Sequence, residues 1–205
     1  MPGDHAVGPA GRTISKKGFT LLATVTLVLV LLSAIYLNAP SPAKQLTADT
    51  DGDGRMETFQ LAGGRVTVKS GNTLLWESDP AWTVTDLAVA DADNDGQEEM
   101  LLVLWKEGSF GTSRPFWMKE EDREYSNHLF MYRLTAGRMK PVWCSSAIQY
   151  PILHLQVTDH DRDVHQELLV TEGPAAGPLF SIRQLFFKQQ TTWQWQDWGF
   201  ALENQ

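Results

Sequence analysis

The sequence predicts an all-β domain of about three four-stranded sheets, carried behind one membrane-spanning helix. Three observations predict it. Near the N-terminus lies a run of nineteen residues without a charge; further on, one segment recurs three times; and turn residues fall between short apolar runs at the spacing a sheet requires.

The uncharged run, FTLLATVTLVLVLLSAIYL, extends from Phe19 to Leu37. As a helix it is roughly 28 Å long, close to the hydrocarbon thickness of about 30 Å. Arg12, Lys16 and Lys17 precede it against the single acid Asp4, which places the N-terminus in the cytoplasm by the positive-inside rule. The expected organisation is a cytoplasmic tail (1–18), a signal anchor (19–37), a Pro-rich linker (38–43) and an extracytoplasmic domain (44–205). A cleavable signal peptide is the alternative, although its apolar core is normally about 7–15 residues and the best cut site, Ser41-Pro42-Ala43, carries a proline.

The repeated segments are QLTADTDGDGRMETFQL, LAVADADNDGQEEMLLV and LQVTDHDRDVHQELLV, beginning at Gln45, Leu87 and Leu155. Each places an acid four positions after the last Asp of an Asp-x-Asp-x-Asp run. The residues are Asp49, Asp51, Asp53 and Glu57; Asp91, Asp93, Asp95 and Glu99; Asp159, Asp161, Asp163 and Glu167. Carboxylates so crowded repel one another, by about 4 kcal/mol for a pair at 4 Å in an effective dielectric of 20. A hard cation wanting six to eight oxygens relieves this, and calcium suits such a loop better than magnesium, which keeps its waters and a strict octahedron. A solvated acidic turn explains one copy, but not three with the same offset. Gly54 and Gly96 follow the third Asp, where a sharp bend needs positive φ; the third copy has Val164 there, so its site is expected to be weaker.

Charge and cysteine content exclude several functions. The chain has 17 Lys+Arg against 25 Asp+Glu and no basic cluster longer than Lys16-Lys17, which argues against nucleic-acid binding. From residue 38 onward 14 bases face 24 acids, and the twelve loop carboxylates exceed that difference. The single Cys144 can form neither an internal disulfide nor a thiolate zinc site.

The loops open like EF-hands but do not close like them. Their twelfth positions are Gln60, Leu102 and Val170, and their flanks are strand-like. The pattern D-x-D-x-D-G-x-x-[DE] between two strands instead resembles the FG-GAP or VCBS repeat, found in the calcium-bearing blades of integrin alpha-chain β-propellers. The resemblance covers residues from about 44 to 200. It implies a β-propeller-like array of three blades, metal oxygens from the twelve carboxylates, and carbonyl ligands from Arg55, Gln97 and His165: two well-formed calcium sites and a third, weaker one.

Four strands per blade place the first at 44–48, 57–61, 65–69 and 73–77, and the second at 83–90, 99–105, 128–134 and 139–145. The third uses 152–158, 167–172, 179–188 and 192–199. Trp76, Trp143 and Trp195 then align on the outer strands, as packing residues between blades. Three blades are too few for an ordinary closed propeller. Tight closure, an open stack and completion by association remain, and apolar open faces would favour a homo-oligomer or an exported partner.

Between Lys106 and His128 the second blade carries an insertion containing Phe110, Arg114, Phe116, Trp117 and Tyr125. Its aromatics suit either plain decoration or recognition of sugar rings or a partner protein. No nucleophile elbow or phosphate-cradling loop occurs. His154, His160 and His165 could be drawn as a zinc site and Asp86 with Glu99 as a carboxylate pair, but alternation scatters the histidines and Glu99 already belongs to a metal loop. The expected function is therefore a membrane-anchored, calcium-binding, non-catalytic recognition module for a polysaccharide or exported protein. A carbohydrate-active enzyme or its accessory subunit, and a structural assembly subunit, are the alternatives.

Overall fold

The computed structural model describes residues 43–111, 115–119, 121–173 and 188–203. The expected membrane segment and Arg114 lie outside the described residues, which contain no helix long and apolar enough to cross a membrane.

The described residues form twelve strands in three antiparallel sheets. The first sheet comprises β1 (Lys44–Ala48), β2 (Glu57–Ala62), β3 (Arg65–Ser70) and β4 (Thr73–Glu77). The second comprises β5 (Thr83–Ala90), β6 (Glu99–Glu107), β7 (Tyr125–Thr135) and β8 (Arg138–Cys144). The third comprises β9 (Ile152–Thr158), β10 (Glu167–Glu172), β11 (Gln189–Trp195) and β12 (Phe200–Leu202). Each sheet keeps its strands in chain order, as a meander of hairpins, and none closes on itself.

The second sheet packs against both of the others because its central strands are apolar on both faces. Met100, Leu102, Leu104, Phe130 and Tyr132 pack toward Phe59, Leu61, Val66 and Val68 of the first sheet. Their alternates Leu101, Val103, Leu129 and Met131 pack toward Leu155, Leu168, Val170 and Trp193 of the third. The uninterrupted run MLLVL of β6 is what a strand covered on both sides requires, and each fully buried Leu or Phe contributes roughly 1.5–3 kcal/mol. The first sheet does not expose the apolar open face expected from the sequence. Thr58, Gln60, Thr67 and Lys69 occupy the alternate positions of β2 and β3, and Gln60 and Lys69 are exposed.

Two strand expectations are corrected. In the third sheet the strand expected at 179–188 lies, but for its last residue, outside the described residues. The outer strand expected at 192–199 is met by β11, at Gln189–Trp195, which pairs with both β10 and β12, so Trp195 lies on an inner strand and not on the outer one. Trp76 and Trp143 do hold outer positions and pack between sheets, with ring centroids 5.3 Å from Tyr132 and 5.5 Å from Phe200. In the second sheet β6 and β7 run further than expected, which shortens the insertion to residues 108–124. Ser126 and Asn127, expected in the insertion, are buried and bonded: Asn127 Nδ2 donates to Leu104 O at 3.3 Å, and its Oδ1 accepts from Ile152 N at 2.9 Å.

Candidate metal centres

Each acidic loop joins the first strand of a sheet to the second: β1 to β2, β5 to β6 and β9 to β10. The three share one hydrogen-bond scheme. The first Asp accepts, through Oδ2, the amide of the residue five positions on: Gly54 at 2.9 Å, Gly96 at 2.9 Å and Val164 at 3.2 Å. The third Asp accepts, through Oδ1, the amide of Arg55 at 2.8 Å, Gln97 at 3.0 Å and His165 at 2.8 Å. The closing Glu reaches back to the amide after the first Asp: Glu57 to Thr50 at 3.1 Å, Glu99 to Ala92 at 3.1 Å and Glu167 to His160 at 2.8 Å.

This scheme curls the chain so tightly that two positions in each loop take positive φ. They are Gly52 (71°) and Gly54 (84°), Asn94 (60°) and Gly96 (90°), and Arg162 (68°) and Val164 (81°). Val164 thus adopts the same backbone conformation as the glycines it replaces, and the third loop keeps the bonds of the other two. The backbone of the third loop is therefore undistorted, although Val164 carries the steric cost of a β-branched residue at that φ.

Acidic oxygens converge in all three loops. Asp49, Asp51 and Asp53, then Asp91, Asp93 and Glu99, then Asp159, Asp161 and Glu167 each bring one oxygen within 4.8 Å of the others. Oxygens held at 2.3–2.6 Å from one ion lie at most about 5 Å apart, so these clusters fit a hard divalent cation. In the first loop Asp49 Oδ1 is buried and has no hydrogen-bond partner, an orphan that a bound cation would satisfy. The closing glutamates are buried on the floor of each loop, at 1, 0 and 1% exposure for Glu57, Glu99 and Glu167.

The second loop differs in one respect that the sequence reading missed. Arg133, on β7, inserts its guanidinium among the acids: Nη2 lies 2.8 Å from Asp93 Oδ2, Nη1 2.7 Å from Asp95 Oδ2, and Nη2 2.5 Å from Glu99 Oε1. Burial pushes the Glu99 carboxyl up to about 7 and also raises Asp93, in each case against the pull of Arg133. Burial opposes the charge of Arg133 itself, but the bond to Glu99 and the surrounding acids raise its pKa overall. The second and third loops are also tied together, since Asn94 Nδ2 donates to Gln166 O at 3.1 Å and Asn94 Oδ1 accepts from Gln166 N at 2.6 Å.

The remaining candidates separate. Phe116 and Trp117 form an edge-to-face pair at 4.9 Å and are 92% and 66% exposed. Phe110 is half-buried at the start of the insertion, whereas Tyr125 belongs to β7, stacks on Trp105 at 5.7 Å and donates to Thr83 Oγ1 at 3.0 Å. The histidines make no common site: His154 Nδ1 lies 2.9 Å from Asp86 and His165 Nδ1 3.3 Å from Asp163. Asp86 is engaged by Lys44, His154 and Leu155, and Glu99 by Arg133, so the two do not act as a pair. Burial pushes the Cys144 thiol up to about 12, which makes it a poor nucleophile. No family model matches the chain, and no curated protein matches it.

Proposed function

We propose that the domain is an exported, membrane-anchored recognition module stapled by calcium ions held in acidic turns of the FG-GAP or VCBS type. The observation that carries the metal reading is the convergence of acidic oxygens on one scheme in three loops, with Asp49 Oδ1 buried and unpartnered in the first. In an occupied loop the carboxylates would supply most of the ligands, and the carbonyl of Arg55, Gln97 or His165 one. The ion supplies countercharge and pins each turn between its two strands. Outside a cell calcium is abundant relative to weak sites, so these ions serve as permanent staples.

Recognition is assigned to the insertion. An exposed edge-to-face aromatic pair is costly to leave in water, and Phe116 with Trp117 presents flat apolar faces suited to sugar rings or to an apolar anchor of an exported protein. Anchoring through residues 19–37 would hold this surface on the outer side of a membrane.

Calcium titration of the chelator-treated full chain, followed calorimetrically and by thermal unfolding, tests the metal reading. A site filled at a hundredfold above its Kd adds about 2.7 kcal/mol, or roughly 5–10 °C in a domain of this size. No heat and no shift would leave the loops as plain acidic turns. Binding of the F116A/W117A double variant to immobilised polysaccharides and exported proteins tests recognition, and unchanged binding by a folded variant would remove the insertion from the ligand site.

A further inference from the structure

The three loops are copies of one another, which makes their third strands directly comparable. In the first sheet the closing Glu57 stands opposite Ser70. In the second, the register that pairs Met100 with Tyr132 brings Glu99 opposite Arg133 one step on. In the third, the register that pairs Leu168 with Trp193 brings Glu167 opposite Gln194. One structural position therefore holds a serine, an arginine and a glutamine, and only the arginine carries charge.

That arginine is not a surface partner that happens to lie nearby. Its side chain is 18% exposed, and it contacts Asp93 at 9% and Glu99 at 0% exposure as well as the more open Asp95. Among the described residues no lysine or arginine pairs with the loop acids of the first or third sheet. We infer that Arg133 is the resident cation of the second loop, so that divalent ions are taken up at the first and third loops and kept from the second unless the guanidinium is displaced. A cation among these carboxylates would stand against the guanidinium, and moving Arg133 out would break three close ion pairs. This inverts the order expected from the sequence, in which the second loop is one of the two well-formed sites and the third the weakest. It rests on the reading of the loops as metal sites.

Calcium stoichiometry of the full chain, measured by equilibrium dialysis and by calorimetry, tests the inference. The wild type is expected to bind two ions and Arg133→Gln, which installs the third sheet's residue, three. Should Arg133→Gln fail to fold, two milder variants decide: Asp93→Asn should leave two ions bound with unchanged affinity, and Asp51→Asn should leave one. Three ions in the wild type, loss of one on Asp93→Asn, or two in a folded Arg133→Gln protein would each overturn the role of Arg133. Binding to neither the wild type nor Arg133→Gln would instead sink the metal reading itself.

Discussion

Asp86, in the middle of β5, receives His154 Nδ1 of β9 on its Oδ2 at 2.9 Å, while its Oδ1 takes Lys44 Nζ of β1 at 3.1 Å. The first strands of all three sheets are thereby joined through one carboxylate that is only 6% exposed. It also accepts the amides of Leu155 and Leu87, at 2.9 and 2.8 Å. A bulge between Val84 and Asp86 accompanies this arrangement.

Asp86→Ala should therefore destabilise the domain by about 3 kcal/mol, because it strands a lysine and two buried amides at once. Lys44→Ala and His154→Ala should each cost less than about 1 kcal/mol, since their side chains are 32 and 61% exposed and either loss leaves Asp86 its other partners. Urea unfolding of the three variants checks this, and equal losses in all three would show that Asp86 is not the hub.

Acid should loosen the insertion's base through His128. Its ring lies between Ser145 O at 3.1 Å and Gly108 O at 3.0 Å, with Ser126 Oγ at 2.9 Å, and burial holds its pKa below the ordinary 6.5, with Lys106 adding to that and the two carbonyls and Asp122 opposing. The folded chain resists a proton that the unfolded chain accepts. Stability from this group is complete above pH 6.5 and falls as pH drops from there toward the lower folded value. Comparing wild type with His128→Gln between pH 7.5 and 5 isolates the effect; parallel curves would refute it.

Gly199 is fixed by a neighbour. A Cβ there would lie 2.9 Å from Cε2 of Trp143 and closer still to its Nε1, at the contact where β8 meets the third sheet. Gly199→Ala should cost about 1–3 kcal/mol by overpacking. Trp143→Leu should cost less in the Gly199→Ala background than in the wild type, a coupling that a double-mutant cycle measures directly.

The first sheet was legible almost to the residue, because Gly63-Gly64 and Gly71-Asn72 punctuate alternating runs. The loops were legible because they repeat. What the sequence hid is long-range. Arg133 lies 34 positions from Glu99, and only the strand register reveals that it stands opposite the closing acid. Asp86 interrupts an otherwise ordinary strand, TVTDLAVA, and pattern alone does not say which neighbouring sheets its oxygens reach. Ser126 and Asn127 read as loop because their burial depends on partners in Gly108, Leu104 and Ile152 that no local pattern supplies.

Val164 offers the sharpest test of the repeat as a physical unit. It sits at φ 81° where the other two loops have glycine, and it is 87% exposed, so its side chain gains almost nothing from packing. A β-branched residue in that region costs roughly 1–3 kcal/mol, against about 0.5–1 kcal/mol of extra chain entropy that a glycine loses on folding. Val164→Gly should therefore stabilise the metal-free chain by about 1 kcal/mol, a gain that is rare for glycine substitutions. Calcium affinity at the third loop should change little, because the curled conformation is already held without the ion and the relieved strain is common to both states. Urea midpoints with and without calcium read the two effects separately, and a loss of stability on Val164→Gly would show that the third loop does not hold the glycine-like geometry.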